Sequence, residues 1–132
     1  MVQPGVEYGD SQVFLYDRKA AKELTEKLKE YPEVVFEGHS TDYQTRNCLK
    51  QMVEDGIAIL KVGPAVTFGM REGLYALSDI EKRLIPVEQR ANFKEVLDDV
   101  MIENPKSWNK YYHGNIKELA YARSFSFSDR CR

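Results

Sequence analysis

Two short apolar runs stand apart from the helical periodicities around them: Val34-Val35-Phe36-Glu37 and Ile57-Ala58-Ile59-Leu60-Lys61-Val62. Both read as buried strands. The second is bounded by Gly56 and by Gly63-Pro64 and is apolar on both faces, as a parallel strand covered by helices is. Val2-Gln3 reads as the remnant of a third strand, cut off at its start. Elsewhere apolar residues recur at helical spacing. Asp17 can cap a helix whose stripe is Ala20, Ala21, Leu24 and Leu28, and Tyr31-Pro32 ends it because proline cannot continue a helix. A second helix is predicted from Thr45 to Asp55, with Cys48, Leu49, Met52 and Val53 inward and Gly56 as its stop. A third follows Pro64 and carries Phe68, Leu74, Leu77, Ile80 and Leu84. A fourth starts near Pro86, with Phe93, Val96, Leu97, Val100 and Met101 inward, and Asn104-Pro105 breaks it.

The tail is less regular. Trp108, Tyr111 and Tyr112 are expected to pack a short helix against the body, and residues 116–123 can be helical. Residues 124–128 alternate polar and aromatic, as an extended edge or a loop does, and Ser128-Asp129 has the form of a helix cap. The order helix, strand, helix, strand, helix, helix predicts an α/β fold of βα units with a parallel sheet. Two or three strands cannot close a barrel or bury both faces of an open sheet. The chain therefore reads as a small α/β domain or as a piece of a larger one.

Composition narrows the function classes. Of the 132 residues, 42% are hydrophobic and 30% charged, the mix of a soluble globular protein. The net charge of −2 favours neither nucleic acid nor an anionic membrane surface as a partner. No apolar run approaches the roughly 20 residues that span a bilayer. Met1 to Gly5 lacks the basic and apolar pattern of a secretion signal. The two cysteines, Cys48 and Cys131, are far apart and form no metal knuckle; Cys48 fits a buried thiol in a helix. A reducing, cytoplasmic setting is expected.

Strand alternation brings out the candidate chemistry. Val35 and Glu37 share a face, and extension of the strand puts His39 on the same side. Ser40, Thr41 and Asp42 follow. Ile57, Ile59 and Lys61 share a face of the other strand, which places a lysine at its polar end. Both strands thus present polar groups at their C-terminal ends, where parallel α/β proteins build their sites. Gly63 lets backbone approach a ligand, the helix after it offers free N–H groups to a phosphate, and Thr67 adds a hydroxyl. Gln3 and Glu7 belong to a similar strand-end loop. Plainer readings stand beside these: Glu37 and His39 as a structural pair, Lys61 as a snorkelling side chain, Gly63 and Thr67 as turn and cap. His113 reads as a surface residue, Trp108, Tyr111 and Tyr112 as packing, and residues 18–30 as a solvated face.

Several stretches together resemble the tagatose-bisphosphate aldolase non-catalytic subunit family, long labelled tagatose-6-phosphate kinases. They are Gln-Pro-Gly-Val-Glu at 3–7, Glu-Gly-His-Ser-Thr-Asp-Tyr-Gln-Thr at 37–45 and Ile-Leu-Lys-Val-Gly-Pro-Ala-Val-Thr-Phe at 59–68. Arg71-Glu72, Ile80-Glu81, Trp108, Tyr111-Tyr112 and Ser128-Asp129-Arg130 extend the likeness along nearly the whole chain. The resemblance implies a partial (β/α)₈ TIM barrel: the last two to three βα units plus C-terminal helices, with residues 1–132 as a single C-terminal fragment of a sugar-phosphate barrel domain. It implies Glu37, His39, Asp42 and Lys61 as catalytic candidates, and Gln3, Glu7, Ser40, Gly63 and Thr67 as substrate or phosphate binders. Any metal, expected to be zinc, would sit in the full-length protein, with Glu37 and His39 the best candidates, or on the partner subunit.

Two function classes follow from the resemblance. One is a stabilising or activating subunit that binds the catalytic class II aldolase, which splits tagatose 1,6-bisphosphate in galactitol and N-acetylgalactosamine breakdown. The other is a metal-dependent ketohexose-phosphate 4-epimerase acting on tagatose 6-phosphate or fructose 6-phosphate. A Schiff-base aldolase using Lys61 ranks below both. The kinase label finds no Gly-x-x-x-x-Gly-Lys-Ser/Thr loop to support it. With most of a barrel absent, the fragment itself is expected to be inactive, and its open strand edges favour association with copies of itself.

Overall fold

The computed structural model describes residues 1–130, so Cys131 lies outside the described residues. The chain divides into two compact units, Met1–Ala65 and a second from Val66 onward. Its elements are β1 (Glu7–Tyr8), β2 (Val13–Phe14), α1 (Lys22–Leu28), β3 (Phe36–Gly38), α2 (Arg46–Glu54), β4 (Ile57–Leu60), α3 (Pro64–Leu84), α4 (Phe93–Glu103) and α5 (Ile116–Phe125). The fold is mixed α/β. Among the described residues no helix is long and apolar enough to cross a membrane.

In the first unit, β3 and β4 pair in parallel, as the sequence predicts, with α2 as the crossover between them. Val2 bridges Gly38 in parallel on the other side of β3: its N–H donates to the Glu37 carbonyl at 2.7 Å, and the His39 N–H donates to the Val2 carbonyl at 2.8 Å. The expected third strand is therefore present as a single bridge. A register shift between Phe36 and Glu37 sets Glu37 opposite Ile59 and Gly38 opposite Leu60. β3 begins two residues later than the apolar run. Val34 and Val35 are more than half exposed, because the chain is still leaving a turn in which the Val34 N–H bonds the Tyr31 carbonyl at 3.1 Å. The antiparallel β1–β2 hairpin is not visible in the sequence pattern, since each strand has only two residues.

The core of this unit is Val6, Tyr16, Ala21, Cys48, Met52 and Ile57, with Phe36, Leu49 and Leu60 against it. Asp17 caps the turn leading into α1, its Oδ1 accepting from the N–H groups of Lys19 (2.8 Å) and Ala20 (3.3 Å); the helix proper begins one turn later. Ala21 is buried, whereas Ala20 faces solvent. Thr45 caps α2 by accepting the Cys48 N–H at 3.2 Å. Gly56 ends the α2 region at φ +90°, where a side chain would also meet Leu28 Cδ2. Two expectations change. Val53 points outward, and β4 is not buried along both faces: Ile57 is buried, Ala58 and Ile59 are exposed and Leu60 is partly buried.

In the second unit, Pro86 starts no helix. A 3₁₀ turn spans Val87–Gln89, and α4 begins after Asn92, which sits in the left-handed region at φ +51°. α3 turns Arg71, Tyr75 and Ser78 inward and leaves Leu77, Ile80 and Leu84 exposed, the reverse of its apolar pattern. The inward stripe follows its partners. Arg71 Nη1 forms a buried ion pair with Asp129 at 2.9 Å, and Tyr75 meets the rings of Phe93 and Phe125 edge-on. Asp129 is thus engaged by Arg71. Met101, Trp108 and Tyr112 form a second core, and Trp108 Nε1 donates to the Met101 carbonyl at 2.7 Å. Tyr111, expected to pack with them, is 39% exposed. α5 carries a capping box between Asn115 and Glu118 and runs to Phe125, so the alternating stretch opens inside a helix.

Candidate functional site

The segment that follows β3 folds back onto the end of β4. The Lys61 N–H donates to the Gly38 carbonyl at 3.0 Å, and Thr41 returns two bonds to the Lys61 carbonyl, from its N–H at 3.3 Å and its Oγ1 at 2.9 Å. Asp42 Oδ1 accepts from the N–H of Gly63 at 2.8 Å and of Ala65 at 2.9 Å. The carboxylate therefore closes the Gly63-Pro64 turn and places negative charge at the N-terminus of α3, where the helix dipole favours it. Ser40, Thr41 and Asp42 are all buried. Ser40 (φ +57°) and Tyr43 (φ +60°) occupy the left-handed region, which costs a non-glycine residue on the order of 1 kcal/mol or more. The burial and hydrogen bonds around them offset that strain and fix the loop.

One concavity of about 70 Å³ forms here, lined by Tyr8, His39, Ser40, Asp42, Lys61 and Gly63 among others. Ser40 Oγ lies 3.2 Å from His39 Nδ1, so the hydroxyl orients the imidazole. Lys61 is exposed at the rim, one residue past the end of β4. Tyr8 packs edge-on against Tyr43 with ring centroids 5.6 Å apart.

Of the sequence candidates, His39, Ser40, Asp42, Lys61 and Gly63 meet at this concavity. The others do not line it. Glu37 stands within β3 opposite Ile59 and does not line the concavity. Gln3 and Glu7 turn to each other: Gln3 Nε2 donates to Glu7 Oε2, while Glu7 Oε1 accepts the Tyr8 N–H at 3.0 Å. Thr67 is an exposed residue of α3. The Gly63 amide, expected to meet a phosphate, already donates to Asp42. Tyr8 was not found from sequence because a two-residue strand carries too short a pattern to place a side chain.

Among the described residues no three His, Cys, Asp or Glu side chains cluster, and one oxygen of Asp42 is held by two amides. The arrangement can hold a small polar ligand between an imidazole, a hydroxyl and an ammonium.

Residues 1–132 match the family described as D-tagatose-1,6-bisphosphate aldolase subunit GatZ/KbaZ-like. A crystal structure described as that of a probable tagatose 6 phosphate kinase from Sinorhizobium meliloti 1021 superposes with a TM-score of 0.94 at 49% identity. The match covers 98% of this chain and 34% of that one, so this chain spans about a third of the length of that protein.

Proposed function

Because this chain belongs to the D-tagatose-1,6-bisphosphate aldolase subunit GatZ/KbaZ-like family, we propose that it acts within a non-catalytic subunit that stabilises class II tagatose-1,6-bisphosphate aldolase. The setting would be the breakdown of galactitol and N-acetylgalactosamine. The observation that carries this reading is the family match along residues 1–132, joined to a rigid loop of buried Ser40, Thr41 and Asp42 at the C-terminal ends of two parallel strands. A parallel β–α–β unit with its polar loops at the strand C-termini is the repeating unit of a (β/α)₈ barrel, and we read β3–α2–β4 as one such unit.

In this reading the reaction's zinc belongs to the catalytic partner. His39 and Lys61 would hold the sugar phosphate. The ammonium attracts the anion, and the imidazole, oriented by Ser40, bonds a hydroxyl. The test is aldolase activity and thermal half-life of the catalytic subunit, each measured with and without this subunit. Both should rise when the two are combined, and no change would sink the proposal.

One observation favours a second reading, a ketohexose-phosphate 4-epimerase. His39 and Lys61 line the same concavity and could exchange protons with a sugar hydroxyl. Interconversion of fructose 6-phosphate and tagatose 6-phosphate by the purified full-length protein, with added divalent metal, would support it. Absence of conversion would end it.

A further inference from the structure

A second polar concavity, of about 180 Å³, lies in the second unit and is lined by Lys106, Ser107, Lys110, Tyr111 and Arg130. Three of its five residues are cations. Among the described residues, none of the three takes part in an ion pair, whereas Lys94 and Arg123 of the same unit pair with Asp79 and Asp98. The cluster gathers positive charge in one place on a chain whose net charge is −2.

The geometry within the cluster is ordered. The Arg130 guanidinium stacks over the Tyr111 ring at 3.8 Å from its centroid, and the Lys110 ammonium lies 5.0 Å from the same ring. Tyr111 thus holds two cations that would otherwise repel each other. Arg130 Nε is buried and, among the described residues, has no hydrogen-bond partner. Arg130 also lines the concavity, so its guanidinium charge is presented to an anion seated there. The Ser107 hydroxyl adds a neutral donor.

We propose that Lys106, Lys110 and Arg130, arranged about Tyr111, form a binding site for a phosphate group. A tetrahedral dianion matches the converging donors: the guanidinium bonds two oxygens, and the ammonium and hydroxyl groups take the others. The concavity is smaller than the roughly 300–1,000 Å³ of ordinary ligand pockets, which suits a phosphate carrying little else in the pocket. The site is built from residues that the proposed aldolase-subunit role does not use, so it stands or falls separately from that role.

The test uses the full 132-residue chain, isotopically labelled, with inorganic phosphate, fructose 6-phosphate and fructose added in separate titrations at low ionic strength. Phosphate should shift the amide resonances of Lys110, Tyr111 and Arg130 saturably, and raising the salt should weaken it. Fructose should leave them in place. Fructose 6-phosphate binding more tightly than inorganic phosphate identifies an organic phosphate as the ligand; equal affinities identify free phosphate. Lys110→Ala, at an exposed position, should weaken binding about fivefold or more, the loss expected for one partly exposed charge-assisted hydrogen bond. Arg130→Gln should weaken it further, with the unliganded spectrum reporting that the fold is intact. Shifts scattered over lysines elsewhere, fructose acting like its phosphate, or unchanged affinity in Lys110→Ala would overturn the proposal.

Discussion

Gly38 is the residue on which the two parallel strands close. A Cβ there would sit 2.9 Å from Ile57 Cγ2, 3.2 Å from Thr41 Cγ2 and 3.3 Å from Met52 Cε. Ile57 and Met52 are fully buried, so neither can withdraw without disturbing the core. Gly38→Ala should therefore destabilise the chain by about 1–3 kcal/mol, the range for overpacking, and lower its urea midpoint. Asp42 makes a contrasting case. Its Oδ1 serves two backbone N–H groups, so Asp42→Ala should cost about 1–3 kcal/mol, the penalty for leaving buried donors unmet. Asp42→Asn keeps an oxygen in that place and should recover much of the loss. Thermal unfolding of the two variants decides the matter: equal losses would mean that the negative charge, not the acceptor geometry, holds the turn.

At the scale of elements, α2 is tied down by side chains at both ends, and each end can be tested. Thr45→Ala removes the cap on Cys48 and should cost about 1 kcal/mol, read as a fall in unfolding midpoint. At the other end Tyr16 donates to Asp55 Oδ2 at 2.9 Å, and Arg18 Nε donates to the same oxygen at 2.9 Å. Burial, followed by the bond to Asp55, raises the Tyr16 hydroxyl pKa well above its ordinary value of 10.0. A pKa raised on folding means that the folded state holds its proton more tightly. The stabilisation is fully present below pH 10.0 and is lost as pH rises past it. Stability should decline in strongly alkaline solution, and Tyr16→Phe should flatten that decline while lowering stability near neutrality by about 1 kcal/mol. The same elements show what was legible in the sequence. α2, the parallel partners and the loop bearing His39, Asp42 and Lys61 were readable because glycine stops, apolar runs and strand alternation are local signals. The inward stripe of α3 was not, because Arg71 is drawn in by Asp129, a partner far along the chain. Nor was the register shift between Phe36 and Glu37, which leaves no mark on the apolar pattern.

At the scale of the whole molecule, the feature that decides behaviour is apolar surface left open. Along α3, Val66, Met70, Leu77 and Leu84 are each more than 60% exposed, and Ile59 and Val62 of the first unit are at least half exposed. Scattered exposed apolar residues are ordinary, but several along one face of a helix form a surface that proteins seldom leave in water. The pairing also ends at β4 on one side and at the single bridge of Val2 on the other, and unpaired strand edges template further pairing. The matched Sinorhizobium meliloti protein is about three times as long as this chain, as the 34% coverage implies. Purified alone, the 132-residue chain should therefore self-associate, with a sedimentation coefficient that rises with concentration. Two causes can be separated. If apolar burial drives association, Leu77→Lys should shift the equilibrium toward monomer, because a lysine at the centre of an interface must be desolvated. If edge pairing drives it, Leu77→Lys should change little, and a proline replacing Val62, beyond the last residue of β4, should act instead by blocking an approaching strand. A chain that sediments as a monomer at every concentration would show that neither surface is adhesive.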